Sequence, residues 1–238
     1  PAACAMPKSV TTVRPSRARR EKPKVSAFTS ADIDAILALR PDFVIGFSDL
    51  QSGIAQSLIA AGIEVWISNH RTIDGILGYV RRLGALVGAA ERAARWAEDL
   101  AAHVARVRAA AADLPRRPRV YFEEWDEPLI TGIGWVAELV RAAGGDDLFP
   151  ERALPLAKDR IVRAEEVVAR DPEIVLASWC GKRFRPETLR ERSGFADLPA
   201  VRDGELHEIP AELILQPGPA ALTDGLDAIA AVMRRWAA

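Results

Sequence analysis

Four acids crowd around one tryptophan: Glu123, Glu124, Asp126 and Glu127 flank Trp125, and Pro128 follows. Carboxylates this close can bind a divalent cation through oxygen ligands or work as an acid–base pair. Neither chemistry finds support elsewhere, because the chain supplies no second acid cluster and no accompanying base pattern. The histidines His70, His103 and His207 are scattered, and none has a partner at metal-ligand spacing. His70 follows an apolar run, where an imidazole can reach a ligand metal, but a lone loop histidine is more often a bystander. Cys4 and Cys180 are too few for a disulfide framework and form no CxxC. GxSxG, P-loop, HExxH and GxGxxG patterns are absent, and Gly132-Ile133-Gly134 is an isolated GxG that a turn explains. The residues point to binding rather than catalysis. An indole among four acids and ahead of a proline suits a deep core badly, so Trp125, with Asp126 beside it, is a candidate ligand contact.

The bulk properties narrow the partners. A net charge of −1 argues against nucleic acid, whose binding needs a basic surface. At 238 residues and 49% hydrophobic content, the chain suits one large α/β domain or two of ordinary size. No run approaches 18 apolar residues, so no membrane span is expected. Pro1 to Pro7 is too short for a signal-peptide core, and no signal peptide is visible in this chain. Arg14, Arg17, Arg19, Arg20, Lys22 and Lys24 form a basic, proline-punctuated stretch that reads as a solvated loop.

The elements that must position these residues include a repeat. Asp34 to Ile45, reading DAILALRPDFVI, returns 131 positions later as Glu165 to Leu176, reading EEVVARDPEIVL. In each copy an acid opens a short apolar helix, which stops near the X-Pro step because proline disfavours helical geometry in the residue before it. A strand follows, Phe43 to Phe47 in one copy and Ile174 to Ala177 in the other. Thr29 to Asp32 offers caps for a helix Ile33 to Leu39. Helix Ile54 to Ala61, ended by Gly62, then leads to a second parallel strand, Glu64 to Ser68. Ile73 to Val87 reads as a helix, and Ala90 to Leu114 as another or as its continuation. In the second, Trp96, Leu100, Val104, Val107, Ala111 and Leu114 recur at spacings of three and four and predict one apolar face. Strand Arg119 to Glu123, helix Gly134 to Ala143, the second repeat, strand Leu206 to Ile209 and terminal helix Ala220 to Trp236 complete the chain. The expected fold is α/β, with two Rossmann-like lobes of parallel sheet, one long backbone helix joining them, and a ligand cleft between them. The boundaries read as 1–88 for an N-terminal lobe, 89–114 for the bridging helix and 115–238 for a C-terminal lobe.

This order, with ALRPDFVIGF in the first lobe and VYFEEWDEPLITG leading to WVAELVRAAGG in the second, resembles the helical-backbone (class III) substrate-binding proteins of ABC importers. The likeness is strongest to the vitamin B12-binding type, with iron-siderophore and haem binders as cousins. It covers about Val25 to the C-terminus. The family opens with a strand and helix not found here, so the first lobe is expected to lack its first strand. The resemblance implies an ABC-transport function: capture of cobalamin or a related corrinoid and delivery to a permease dimer with its ATPase subunits. A ferric-siderophore or haem binder of the same fold, or a soluble binding protein without a transport role, are the alternatives. It further implies no resident cofactor, a small metal-chelate ligand and a monomer. The location is then periplasmic, or exported and membrane-associated, with the cytoplasm left open by the unseen leader.

The resemblance also distributes roles. Phe28 and Phe47 fall where B12 binders carry tryptophans that pack on the corrin, and Phe47 ends its strand, where ligands gather in open parallel sheets. Trp179 directly follows the second-repeat strand and is expected to face the same cleft as Trp125. Glu212 falls where an acid reaches the ligand's amides. Trp66, Trp96, Trp135 and Trp236 are assigned to packing. In the family one carboxylate per lobe docks on the permease. Glu165 takes that place in the second lobe. In the first lobe the position falls around Gln51-Ser52-Gly53, where no acid stands, and Asp49 and Asp34 are the nearest substitutes.

Overall fold

The computed structural model describes residues 22–238. The basic residues Arg14 to Arg20 and the place of the expected missing first strand lie outside the described residues. The described chain divides into two compact units, residues 22–70 and Arg71–Ala238.

In the first unit, α1 (Ile33–Ala38) is opened by Asp32, whose carboxylate accepts from the Ala35 N–H at 2.9 Å. Strand β1 (Phe43–Phe47) pairs in parallel with β2 (Glu64–Ser68), from Phe43 opposite Glu64 to Phe47 opposite Ser68. Helix α2 (Ser52–Ala60) lies between them in sequence, supplying the crossover that a parallel pair needs. It starts two residues earlier than expected, because a 3-10 turn at Asp49–Gln51, capped by the Ser48 hydroxyl, leads directly into it.

The second unit opens with a helical hairpin, α3 (Ile73–Leu86) and α4 (Ala90–Ala112). The buried side of α4 is Ala93, Ala97, Leu100, Val104 and Ala111. Trp96, expected on that face, stands 50% exposed. The reason is a close helix crossing: a Cβ added to Gly84 would lie 2.1 Å from the Ala93 Cβ. Only small residues fit such a seam, so it follows the alanines and leaves Trp96 to one side. Trp135 is buried as expected, its indole N–H donating to the Ile214 carbonyl at 2.8 Å.

The larger sheet runs β4 (Leu129–Thr131), β3 (Arg119–Asp126), β6 (Ile174–Ala177), β7 (Leu206–Glu208), with β5 (Asp146–Asp147) beside the start of β3. Strand β3 pairs in parallel with β5 and with β6, and β6 in parallel with β7. Helix α5 (Gly134–Ala142) precedes β5, and α6 (Ala164–Arg170) precedes β6. Short helices α7 (Pro186–Arg190) and α8 (Pro199–Arg202) lie before β7. Helix α9 (Ala211–Ile214) lies after it. The expected single terminal helix divides into a π-type turn, Ala221–Gly225, and α10 (Leu226–Ala237). Leu222, Leu226, Ile229 and Met233 are all buried, as their spacing predicts.

Strand β3 does not stop at Glu123. It folds back through Glu127–Pro128 into β4 (Leu129–Thr131), with Trp125 opposite Ile130 and an irregularity between Glu123 and Trp125. Trp125 therefore lies within a strand of a hairpin rather than in a loop after one. The repeat is present down to its backbone. Arg40 and Asp171, each preceding a proline, both leave the helix in the left-handed region, with φ of 49° and 50°. Each N–H closes the last turn in the same way, Arg40 on the Leu37 carbonyl at 2.9 Å and Asp171 on the Val168 carbonyl at 3.1 Å.

Candidate functional site

In the first unit the two candidate phenylalanines are brought together by Gln51, which the resemblance marked only as part of a docking position without an acid. The Gln51 amide accepts from the Phe47 N–H and donates to the Phe28 carbonyl, both at 2.8 Å. Gly46 makes room, since a Cβ there would come within 2.6 Å of the Gln51 side-chain oxygen. His70 completes the group. Its ring meets Phe47 edge-on at 5.2 Å, and its Nδ1 shares a 2.7 Å hydrogen bond with the Ser68 hydroxyl. Ser48, at the end of β1, holds a φ of 81°, a costly conformation for a residue with a side chain. Phe28 and Phe47 are part-buried, so each keeps some ring surface accessible. Aromatic surface, a neighbouring imidazole and strand ends thus meet at the carboxyl edge of a parallel pair, where ligands settle in such sheets.

In the second unit each acid of the 123–126 cluster has its own cation. Glu123 is fully buried and receives Arg192 at 2.6 and 3.2 Å, the Tyr121 hydroxyl at 3.0 Å and the Trp179 indole N–H at 3.0 Å. Burial, followed by the Glu123 charge, pushes the Tyr121 hydroxyl pKa well up. Burial opposes the Arg192 charge, but the hydrogen bond and charge of Glu123 outweigh it, and the guanidinium is held above its ordinary value. Glu124 is gripped by buried Arg160 at 2.6 and 2.9 Å. Asp126 pairs with Lys182. Among the described residues no group of three or more His, Cys, Asp or Glu is arranged to hold a metal ion. The cation-site reading of this cluster has no structural counterpart: three of its four carboxylates are already neutralised, each by a different partner.

Trp125 and Trp179 differ in exposure. Trp125 is part-buried, its indole N–H tied to the Glu127 carbonyl at 2.8 Å. Trp179 is 2% exposed and sits in the core cluster with Phe184, edge-on at 5.1 Å. That burial corrects the expectation of a ligand-facing ring, because its face packs on neighbours and its N–H is spent on Glu123. Lys182 joins the two, with Nζ 4.3 Å from the Trp125 ring centre and 4.9 Å from that of Trp179. Glu212 lies exposed in the first turn of α9, and Glu165 exposed in the first turn of α6. Glu166, not Glu165, turns back on the helix start, accepting from the Arg163 N–H at 2.9 Å. Sequence spacing gave no sign of Arg160, Lys182 or Arg192, and none of a ligand-side role for Gln51. A hint was available for two of them, since an acid continuing the alternation of a buried strand needs a cation.

Comparison with known proteins gives the fold and family. A vitamin B12-binding protein of Vibrio parahaemolyticus is 23% identical over 205 residues, covering 85% of this chain and 72% of the relative. An ABC transporter substrate-binding protein from Listeria monocytogenes has a similar structure, with a TM-score of 0.80, 17% identity, and coverage of 95% of this chain and 89% of the other. A periplasmic haem-binding protein from Pseudomonas aeruginosa gives a TM-score of 0.77 at 23% identity, over 93% of this chain and 82% of the other. These relatives are binding proteins, not enzymes. Among the described residues no helix is long and apolar enough to cross a membrane. The profile of the periplasmic binding protein family matches residues 3–213, most of the chain, and the chain belongs to that family.

Proposed function

We propose that this chain is the substrate-binding component of an ABC importer, working in the periplasm. It captures a metal chelate, with cobalamin or a related corrinoid as the first ligand, and delivers it to a membrane permease. The observation that carries the reading is the Phe28–Gln51–Phe47–His70 group at the carboxyl end of a parallel strand pair. A large, partly apolar ligand needs aromatic surface and a few fixed polar groups, and this group provides both. Trp125 adds an accessible indole in the second unit, and Glu212 an exposed carboxylate. The B12-binding relative supports the corrinoid, and the haem-binding neighbour a second reading, haem. Glu165 is the docking carboxylate, exposed at a helix start while its neighbour Glu166 performs the local capping.

Titration of the purified chain with cyanocobalamin and with haemin, followed by tryptophan fluorescence and calorimetry, tests this. Saturable one-to-one binding of either below about 1 μM, roughly −8 kcal/mol, supports it. A folded sample that binds neither overturns it. For docking, Glu165→Arg should abolish uptake in cells while leaving ligand affinity unchanged; full uptake by the variant would remove Glu165 from the interface.

A further inference from the structure

Lys182 is the residue that the proposed function leaves unused. It sits on the loop that follows β6, and one ammonium group meets Trp125, Trp179 and the Asp126 carboxylate together. The loop is anchored from both sides. Buried Phe184 donates its N–H to a Glu208 carboxylate oxygen at 3.1 Å and packs edge-on against Trp179. Arg183 and Arg185 flank it, both exposed and without an ion pair among the described residues. The loop after β6 therefore holds Lys182 beside an accessible indole, with two exposed arginines next to it in the chain.

We propose that Lys182 selects for a flat metal chelate whose edge carries carboxylates, by exchanging one counter-ion for another. This rests on the metal-chelate reading above and chooses among its ligands. Without ligand, Asp126 holds Lys182 over the Trp125 ring. A ligand carboxylate takes over the ammonium while the ligand's ring lies on the indole, and Arg183 and Arg185 add attraction for the incoming anion. The ammonium side of the pair is 39% exposed, so a ligand carboxylate can reach it from solvent while Asp126, 11% exposed, stays behind it. A ligand with a neutral amide edge has no such exchange to offer. It must leave the Lys182–Asp126 pair across the ring face or strand one of its charges under the ligand.

Haemin, its dimethyl ester and cyanocobalamin separate the outcomes, because the first two differ only in their carboxylates. Each is titrated against the wild-type chain, Lys182→Met and Asp126→Asn. Wild type should bind haemin about tenfold more tightly than the ester, a preference that Lys182→Met removes. Asp126→Asn, which frees the ammonium from its internal partner, should tighten haemin about threefold. Equal binding of diacid and ester, persistence of the preference in Lys182→Met, or binding of cyanocobalamin alone would overturn the selection by Lys182 while leaving the metal-chelate reading standing. Failure of all three probes to bind folded wild type would bring down that reading, and this inference with it.

Discussion

The chain builds one helix–proline–strand unit twice, and the copies differ in what surrounds them rather than in how they are made. In the second copy, β6 is buried at every position within the larger sheet. In the first, among the described residues, β1 pairs with β2 alone and is part-buried or exposed along its length. The left-handed exits at Arg40 and Asp171 agree within a degree. Local sequence sets the turn, and burial is set by how many neighbours the rest of the chain supplies. The second copy's strand pairs with β3, whose acids carry the buried charged network. The first leaves aromatic edges at its strand ends.

That contrast can be broken at several points. The largest effect is expected in the network of the second unit. Arg192→Met leaves Glu123 buried and unpaired and should cost about 3–5 kcal/mol, read from the urea midpoint. Next come the matched strand positions. Leu176→Ala in β6, where the side chain is wholly buried, should cost about 2–5 kcal/mol. Its counterpart Ile45→Ala in β1, at 39% exposure, should cost about 1 kcal/mol or less. Equal losses would mean that the first copy is as enclosed as the second.

A smaller, pH-dependent effect belongs to Asp147. Burial raises its pKa, opposed by the Phe149 N–H and the Arg141 charge. The folded state then holds this proton more tightly than the unfolded state. Stability should fall as pH rises from the ordinary carboxylate range through the raised value. Asp147→Asn should flatten that slope in melts taken across the window, and an unchanged slope would exclude Asp147 as its source. The smallest change is expected at the helix exits. Arg40→Gly, which relieves a left-handed residue with no ion pair among the described residues, should stabilise by roughly 1 kcal/mol or less. Asp171→Gly should gain nothing, because it also loses the 2.9 Å pair with Arg119.

What was legible in the sequence was what neighbouring residues decide. The proline steps, the caps and the apolar runs located both repeats, the parallel strands and the two long helices, but not that these two pack together as a hairpin. What was not legible depends on residues far apart in the chain. Glu123 meets Arg192, Glu124 meets Arg160 and Asp126 meets Lys182, and no spacing rule links them. An acid-rich stretch therefore read as a loop after β3, although its charges were neutralised one by one and the strand ran on through it. Trp96 was misplaced for a related reason: helical periodicity marks a face, but the closeness of the helix crossing, set by Gly84 and Ala93, decides which side of that face is sealed. Of the candidate contacts, Phe28 and Phe47 are joined through Gln51, Trp125 and Asp126 share Lys182, and Trp179 turns inward.

Gln51 has a consequence for what this position can become. Its amide is used in both senses at once, oxygen toward Phe47 and nitrogen toward Phe28. A glutamate here would be nearly identical in shape, yet it would set two acceptors against each other at the Phe28 carbonyl. Replacing a single nitrogen by oxygen would detach the Phe28 loop from β1. An acid for the outer surface of this unit must therefore come from another position, since residue 51 is already committed to splicing two loops into one.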